Sequence, residues 1–163
     1  MIVLGIDPGY ERLGISVIEK TPSSASLGTS KPKLVFSECF KTSPKDEHAE
    51  RLSQIHIEIE RILNKYKPSH LGIETLFFNA NVKTAMKVAE SRGVILALAK
   101  KHGLTVVELS PQEIKIAVTG YGNSDKKAVI KMIPLLIDLN KKSIMLDDEY
   151  DAIGVGLCVL THN

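Results

Sequence analysis

The hydrophobic pattern of this 163-residue chain changes period near residue 45, and that change dictates its fold class. Residues 1–6, 13–18 and 34–40 are short apolar blocks of strand length, the first closing on the turn Asp7-Pro8-Gly9. From residue 48 the period is helical. Leu52, Ile55, Ile59, Ile62, Leu63 and Tyr66 recur at steps of three and four, which predicts an amphipathic helix over 48–65 stopped by Pro68. A strand over 70–74, a long helix over 81–101 ending before Gly103, and a strand over 105–109 follow. Ser110 and Pro111 supply the cap and first position of another helix. A glycine-rich loop, Gly120-Tyr121-Gly122-Asn123, leads into a helix from about Ser124, and a last helix runs from about Asp148 to Leu160. Strands joined directly predict an antiparallel meander, and strand–helix–strand units predict parallel crossovers. The expected architecture is a single α/β domain over residues 1–163. Its five-stranded mixed sheet has three antiparallel strands, then two parallel ones, flanked by helices.

Composition narrows the function classes. Cys39 and Cys158 form no CxxC pair, and the five histidines form no HxH or HxxxH pair, so neither a disulfide framework nor a zinc site is expected. The thiol usage fits a reducing cytoplasm. No apolar run approaches a membrane span and no basic leader opens the chain, so neither a membrane nor a secreted protein is expected. Residues 21–33, rich in Ser, Thr and Pro, have the composition of a flexible loop. The formal charge of +2 neither demands nor excludes a polyanionic partner.

Four acids stand out by position. Asp7 and Glu74 sit at the ends of the first and fourth predicted strands, where ligand sites form in open α/β sheets. A turn-forming role accounts equally well for Asp7 alone; glutamate is a poor turn former, so Glu74 is harder to dismiss. Asp148 and Asp151 are three apart, on one face of the last helix. Acids in a first turn suit the helix dipole, but Asp151 shares its face with the most apolar part of that helix, and no nearby basic residue in sequence offers it a partner. Carboxylates converging on one sheet edge suit hard divalent ions such as Mg²⁺. Two such ions about 3.5–4 Å apart clamp the attacking and leaving oxygens of a phosphodiester. They would bring the formal charge from +2 to about +6, which is consistent with a nucleic-acid partner.

With these residues in hand, the chain resembles the RuvC family of Holliday-junction resolvases, in the ribonuclease H-like superfamily. The matching stretches are Gly5-Ile6-Asp7-Pro8-Gly9, then Ile73-Glu74-Thr75-Leu76-Phe77-Phe78 with Asn81, then Gly120-Tyr121-Gly122-Asn123-Ser124-Asp125-Lys126, and Asp148-Glu149-Tyr150-Asp151-Ala152. They occur in the family's order and cover essentially the whole chain except residues 21–33, which look like an insertion. The resemblance implies that Asp7, Glu74, Asp148 and Asp151 are catalytic carboxylates binding two Mg²⁺ ions, with Mn²⁺ able to substitute. It places Phe77 as an aromatic that stacks on junction bases, and Lys115 and Lys126 as lysines contacting DNA near the scissile phosphate, Lys126 stabilising its developing charge. Phe78 and Lys127 join the DNA-binding candidates, although core packing for Phe78 and a solvated surface for Lys127 explain them as well. Ala80 stands where members often carry a basic residue, a role Lys83 is placed to take.

The implied activity is paired, symmetric nicking of a four-way DNA junction by a homodimer. The implied partners are the RuvA and RuvB branch-migration proteins. The helix over 81–101 carries Ala85, Ala89, Gly93 and Ala97 four apart, which suits a close helix–helix contact in that dimer, or a central helix of an ordinary core. Two rivals stand beside this reading: a related nuclease acting on RNA in the manner of the YqgF group, and a non-catalytic junction-binding module. An actin-like ATP-binding protein needs two domains, for which 163 residues are too few.

Overall fold

The structure is a computed structural model, and it describes residues 1–21, 31–76, 82–140 and 146–162. The elements in chain order are β1 (Ile2–Asp7), β2 (Arg12–Glu19), β3 (Lys33–Lys41), α1 (His48–Tyr66), β4 (His70–Glu74), α2 (Val82–Lys101), β5 (Thr105–Leu109), α3 (Pro111–Thr119), α4 (Lys126–Leu136) and α5 (Asp147–His162). The five strands form one sheet in the order β3-β2-β1-β4-β5. β1, β2 and β3 pair antiparallel, while β4 is parallel to β1 and β5 parallel to β4. The meander and the two crossovers therefore stand as the change of period predicts. Most of the expected loop over 21–33, together with Phe77, Phe78, Ala80 and Asn81, lies outside the described residues, as does the side chain of Lys83.

One predicted boundary shifts. α4 begins at Lys126, because Asp125 caps it and its carboxylate accepts from the Ala128 amide at 2.7 Å. The Ser124 hydroxyl is engaged instead with Thr119 Oγ1 at 2.7 Å, so this serine is not the cap. At α3 the expected cap forms in full, with Ser110 and Glu113 in a reciprocal capping box and Pro111 at the first turn.

Alternation along β1 sends side chains to two cores. Leu4 and Ile6 pack with Ile55, Ile59 and Ile62 of α1 and Ile95 of α2, while Val3 faces Ile153, Val155 and Val159 of α5. Between them Gly5 lies opposite Gly72 on β4. A Cβ on Gly5 would meet the Ala152 carbonyl oxygen at 2.3 Å, and one on Gly72 would meet Val159 Cγ2 at 2.5 Å. These glycines let α5 lie with its backbone against the sheet, and the buried Ser16 hydroxyl donates to the Ala152 carbonyl at 2.8 Å. Gly14, the register partner of Asp7, does the same at the helix start: its Cβ would sit 2.2 Å from the Asp148 carbonyl oxygen. The close approach sets the first turn of α5 beside the carboxyl end of β1.

Candidate active site

The β1–β4 register runs to Ile6↔Ile73, so Asp7 and Glu74 emerge side by side at the same edge of the sheet. Both are pushed toward the neutral form. Burial raises the Asp7 pKa from 3.8 to about 7, reinforced in turn by the charges of Glu74, Asp151 and Asp148, with Lys126 opposing. Glu74 is raised as well, first by burial and then by Asp151, while Lys115 pulls it back. Asp7 thus feels the charges of the three other acids, and Glu74 that of Asp151.

The two helix-borne acids have found partners. Asp148 is salt-bridged to Arg12 Nη2 at the start of β2, and Cys39 Sγ donates to the same carboxylate oxygen at 3.6 Å. Asp151 Oδ2 accepts from Lys126 Nζ at 2.9 Å. The cation that the local sequence did not offer comes from the first turn of α4. Burial works against the Lys126 ammonium, but the hydrogen bond and charge of Asp151, with Asp147 at 3.5 Å, outweigh it and raise its pKa.

A cavity of about 310 Å³ opens beside these groups, its lining including Glu74, Asp151, Lys115 of α3, and Asp125 and Lys126 of α4. A smaller one of about 210 Å³ is lined by Asp7, Pro8, Glu74, Thr75, Leu76 and Pro111. Glu74 and Pro111 line both, so the two hollows form a trough along the strand ends. Lys115 and Lys126 therefore join the acids. Lys127 is exposed and does not line either hollow. Phe77 and Phe78 fall outside the described residues.

The donor chemistry fits a hard divalent cation: four carboxylates, two of them, Asp7 and Glu74, shifted toward the neutral form first by burial and then by neighbouring acids. Among the described residues no three acids, histidines or cysteines stand close enough to share an ion, since Asp148 and Asp151 are turned toward Arg12 and Lys126. Sharing one requires them to exchange those partners for it. Arg12 is not legible from sequence, since it lies 136 residues from Asp148 and only the packing of α5 onto β1 and β2 brings them together. Nor are Gly5, Gly14 and Gly72: a glycine in a strand signals close approach, but not by what.

Comparison with known proteins bears on this geometry directly. The family profile described as Crossover junction endodeoxyribonuclease RuvC matches residues 3–159. The chain is 39% identical over 163 residues to the protein of that description from Brachyspira hyodysenteriae, covering 100% of this chain and 96% of the relative. To its counterpart from Thermosipho melanesiensis it is 40% identical over 159 residues, covering 98% and 96%. Among solved structures, Thermus thermophilus RuvC in complex with Holliday junction substrate superposes with a TM-score of 0.87 at 30% identity, covering 99% of this chain and 94% of that one. The yeast mitochondrial resolvase Ydc2 shares the fold, with a TM-score of 0.69 at 16% identity over 96% of this chain and 77% of its own. Among the described residues no helix is long and apolar enough to cross a membrane. With profile, relatives and fold in agreement, this chain belongs to the RuvC family of crossover junction endodeoxyribonucleases, phosphodiester hydrolases that resolve Holliday junctions.

Proposed function

We propose that Asp7, Glu74, Asp148 and Asp151 hold two Mg²⁺ ions, or Mn²⁺ in their place, and that the site cuts the backbone of a four-way DNA junction. The observation that carries this is Asp7, half-buried and within reach of the charges of three other acids, with its pKa pushed up to about 7. A charged carboxylate in that company is costly unless a cation neutralises it. When bound, the ions supply Lewis acidity to the phosphate and to the water that attacks it.

The chain's own residues do the rest. Asp7 and Glu74, fixed by strand register, set one side of the trough; Asp148 and Asp151, on the first two turns of α5, set the other. Lys126, released from Asp151, stabilises charge developing on the phosphate, and Lys115 beside Glu74 holds the neighbouring backbone. In-line attack by water leaves 5′-phosphate and 3′-hydroxyl ends. Phe77, with Phe78, is assigned to the unstacked bases at the junction centre, where one aromatic contact is worth ~1–3 kcal/mol. Lys127 is assigned to a more distant phosphate.

The enzyme is proposed to act as a homodimer, so that two sites related by a two-fold axis meet a junction of the same symmetry. Gly93 and Ala97 of α2 are exposed, and a Cβ on Gly93 meets nothing within 4 Å, which leaves that stripe open to a second copy. RuvA and RuvB are the proposed partners in branch migration, and the cytoplasm the proposed compartment. The test is a nicking assay on a mobile four-way junction, a linear duplex and an RNA–DNA hybrid, with Mg²⁺ and with EDTA. Paired nicks confined to the junction and abolished by EDTA are expected. Cleavage unaffected by EDTA, or preferred on the hybrid, would contradict the reading.

A further inference from the structure

Glu74 stands at the point where strand pairing runs out. β4 follows β1 only as far as Ile73, and Glu74 keeps a register partner on one side alone, Leu109 of β5. On that side the Thr75 amide donates to the Leu109 carbonyl at 2.8 Å, and the Thr75 hydroxyl donates to the same oxygen at 3.2 Å. The Glu74 carbonyl is held by another element. Arg92, halfway along α2, donates from Nε to that oxygen at 3.2 Å, and its Nη2 is salt-bridged to Glu108 on β5. The guanidinium is largely withdrawn from water, its side chain 16% exposed, whereas Glu108 is 54% exposed. A planar fork engaged at both prongs is a stiff connector, and its hydrogen bond to the carbonyl is charge-assisted.

We propose that Arg92 is a positioning residue for the cleavage reaction: it fixes the main chain of Glu74 at the open end of β4, with Glu108 as its anchor. The inference rests on Glu74 being one of the cation-holding carboxylates. Among the described contacts Arg92 meets the Glu74 carbonyl and not its carboxylate. It acts by restricting where that carboxylate starts from, and displacements near 1 Å matter at a site of this kind. It also ties α2, whose outer stripe is open, to the reacting end of the sheet. The same helix grips the other strand end, where Glu90 pairs with His48 Nε2 at 2.6 Å and Tyr10 meets His48 Nδ1 at 2.8 Å, three residues beyond Asp7.

The experiment measures Mn²⁺ affinity by the electron paramagnetic resonance of the free ion, together with junction affinity and the single-turnover rate constant. It compares the wild type with Arg92→Ala, Arg92→Lys and Glu108→Gln. Loss of such an outer partner typically costs about 10–100-fold in metal affinity or activity. Arg92→Ala is expected to weaken Mn²⁺ binding and slow cleavage by about that factor, with junction affinity within about two-fold. Arg92→Lys, keeping the charge but not the fork, recovers part of the loss. Glu108→Gln, at an exposed side chain that does not threaten folding, moves both quantities the same way by about two- to five-fold. A role in folding alone would lower the active fraction and leave the Mn²⁺ affinity and rate constant of the remainder unchanged. That result, or an unmoved Glu108→Gln, would overturn the inference. A wild type that binds no Mn²⁺ would overturn the cation reading itself and this inference with it.

Discussion

The strand-borne acids and the helix-borne acids of the trough solve the same problem in opposite ways. Asp7 and Glu74 are half-buried at the ends of paired strands with no cation on their carboxylates among the described contacts, and both are pushed toward the neutral form. Asp148 and Asp151, 21% and 31% exposed, are met by Arg12 and Lys126. The strand pair is fixed by register and only partly offset by the charges of Lys126 and Lys115, so it favours a cation beside it. The helix pair is compensated, so it must give up a partner before it shares an ion. On the proposed cation reading, the first pair would set where an ion goes, and the second what is exchanged when it arrives.

The largest expected effect tests the strand pair. Asp7→Asn keeps the shape and removes the charge. It should lower the single-turnover rate by about 10³-fold or more, with junction affinity nearly unchanged; a near-normal rate would remove Asp7 from the mechanism. On the helix side, Lys126→Ala should cost about 10²-fold in rate if, as proposed, its ammonium meets the phosphate. If Lys126 serves only as the counter-ion of Asp151, the loss instead appears in stability and the rate holds.

A third comparison concerns pH. The folded pKa of Asp7, about 7, lies above its ordinary 3.8, so the folded state holds this proton more tightly than the unfolded one. The contribution of Asp7 to stability in cation-free buffer is therefore most favourable below about pH 4 and declines as pH rises to about 7. Asp7→Asn escapes that decline. Relative to wild type it should gain stability between pH 4 and 7, reaching ~1–4 kcal/mol by pH 8 in denaturant melts. A constant difference across that range would show that Asp7 is not held neutral by its surroundings. The smallest effect is reserved for Arg12→Ala. An ion pair with one partner about half exposed is well screened by solvent, so the melting temperature should shift little. A large loss would mean that Arg12 braces the α5 start rather than merely neutralising Asp148.

The same division explains what the sequence disclosed. Strand ends and helical spacing are local, so Asp7, Glu74, Asp148 and Asp151 could be picked out, and the β1–β4 register then brought the first two together as expected. Lys115 and Lys126 were named by resemblance, and their place on the trough follows from α3 and α4 flanking α5. Partners across long sequence separations were not legible. Arg12 for Asp148, Lys126 for Asp151 and Arg92 for the Glu74 carbonyl lie 136, 25 and 18 residues away, with no periodicity to link them. α4 starts at Lys126 rather than about Ser124 because Asp125 caps it while the Ser124 hydroxyl meets Thr119. The role of Gly5 and Gly72 became readable only once α5 was seen to lie on them.

The central claim is that the four carboxylates form one cation-holding site, and crystals grown with Mn²⁺ test it most directly through anomalous scattering. The account predicts two peaks about 3.5–4 Å apart, ligated among Asp7, Glu74, Asp148 and Asp151, with Arg12 and Lys126 moved off their carboxylates. Saturating Mn²⁺ with no peak between those side chains, and with both salt bridges intact, would contradict it.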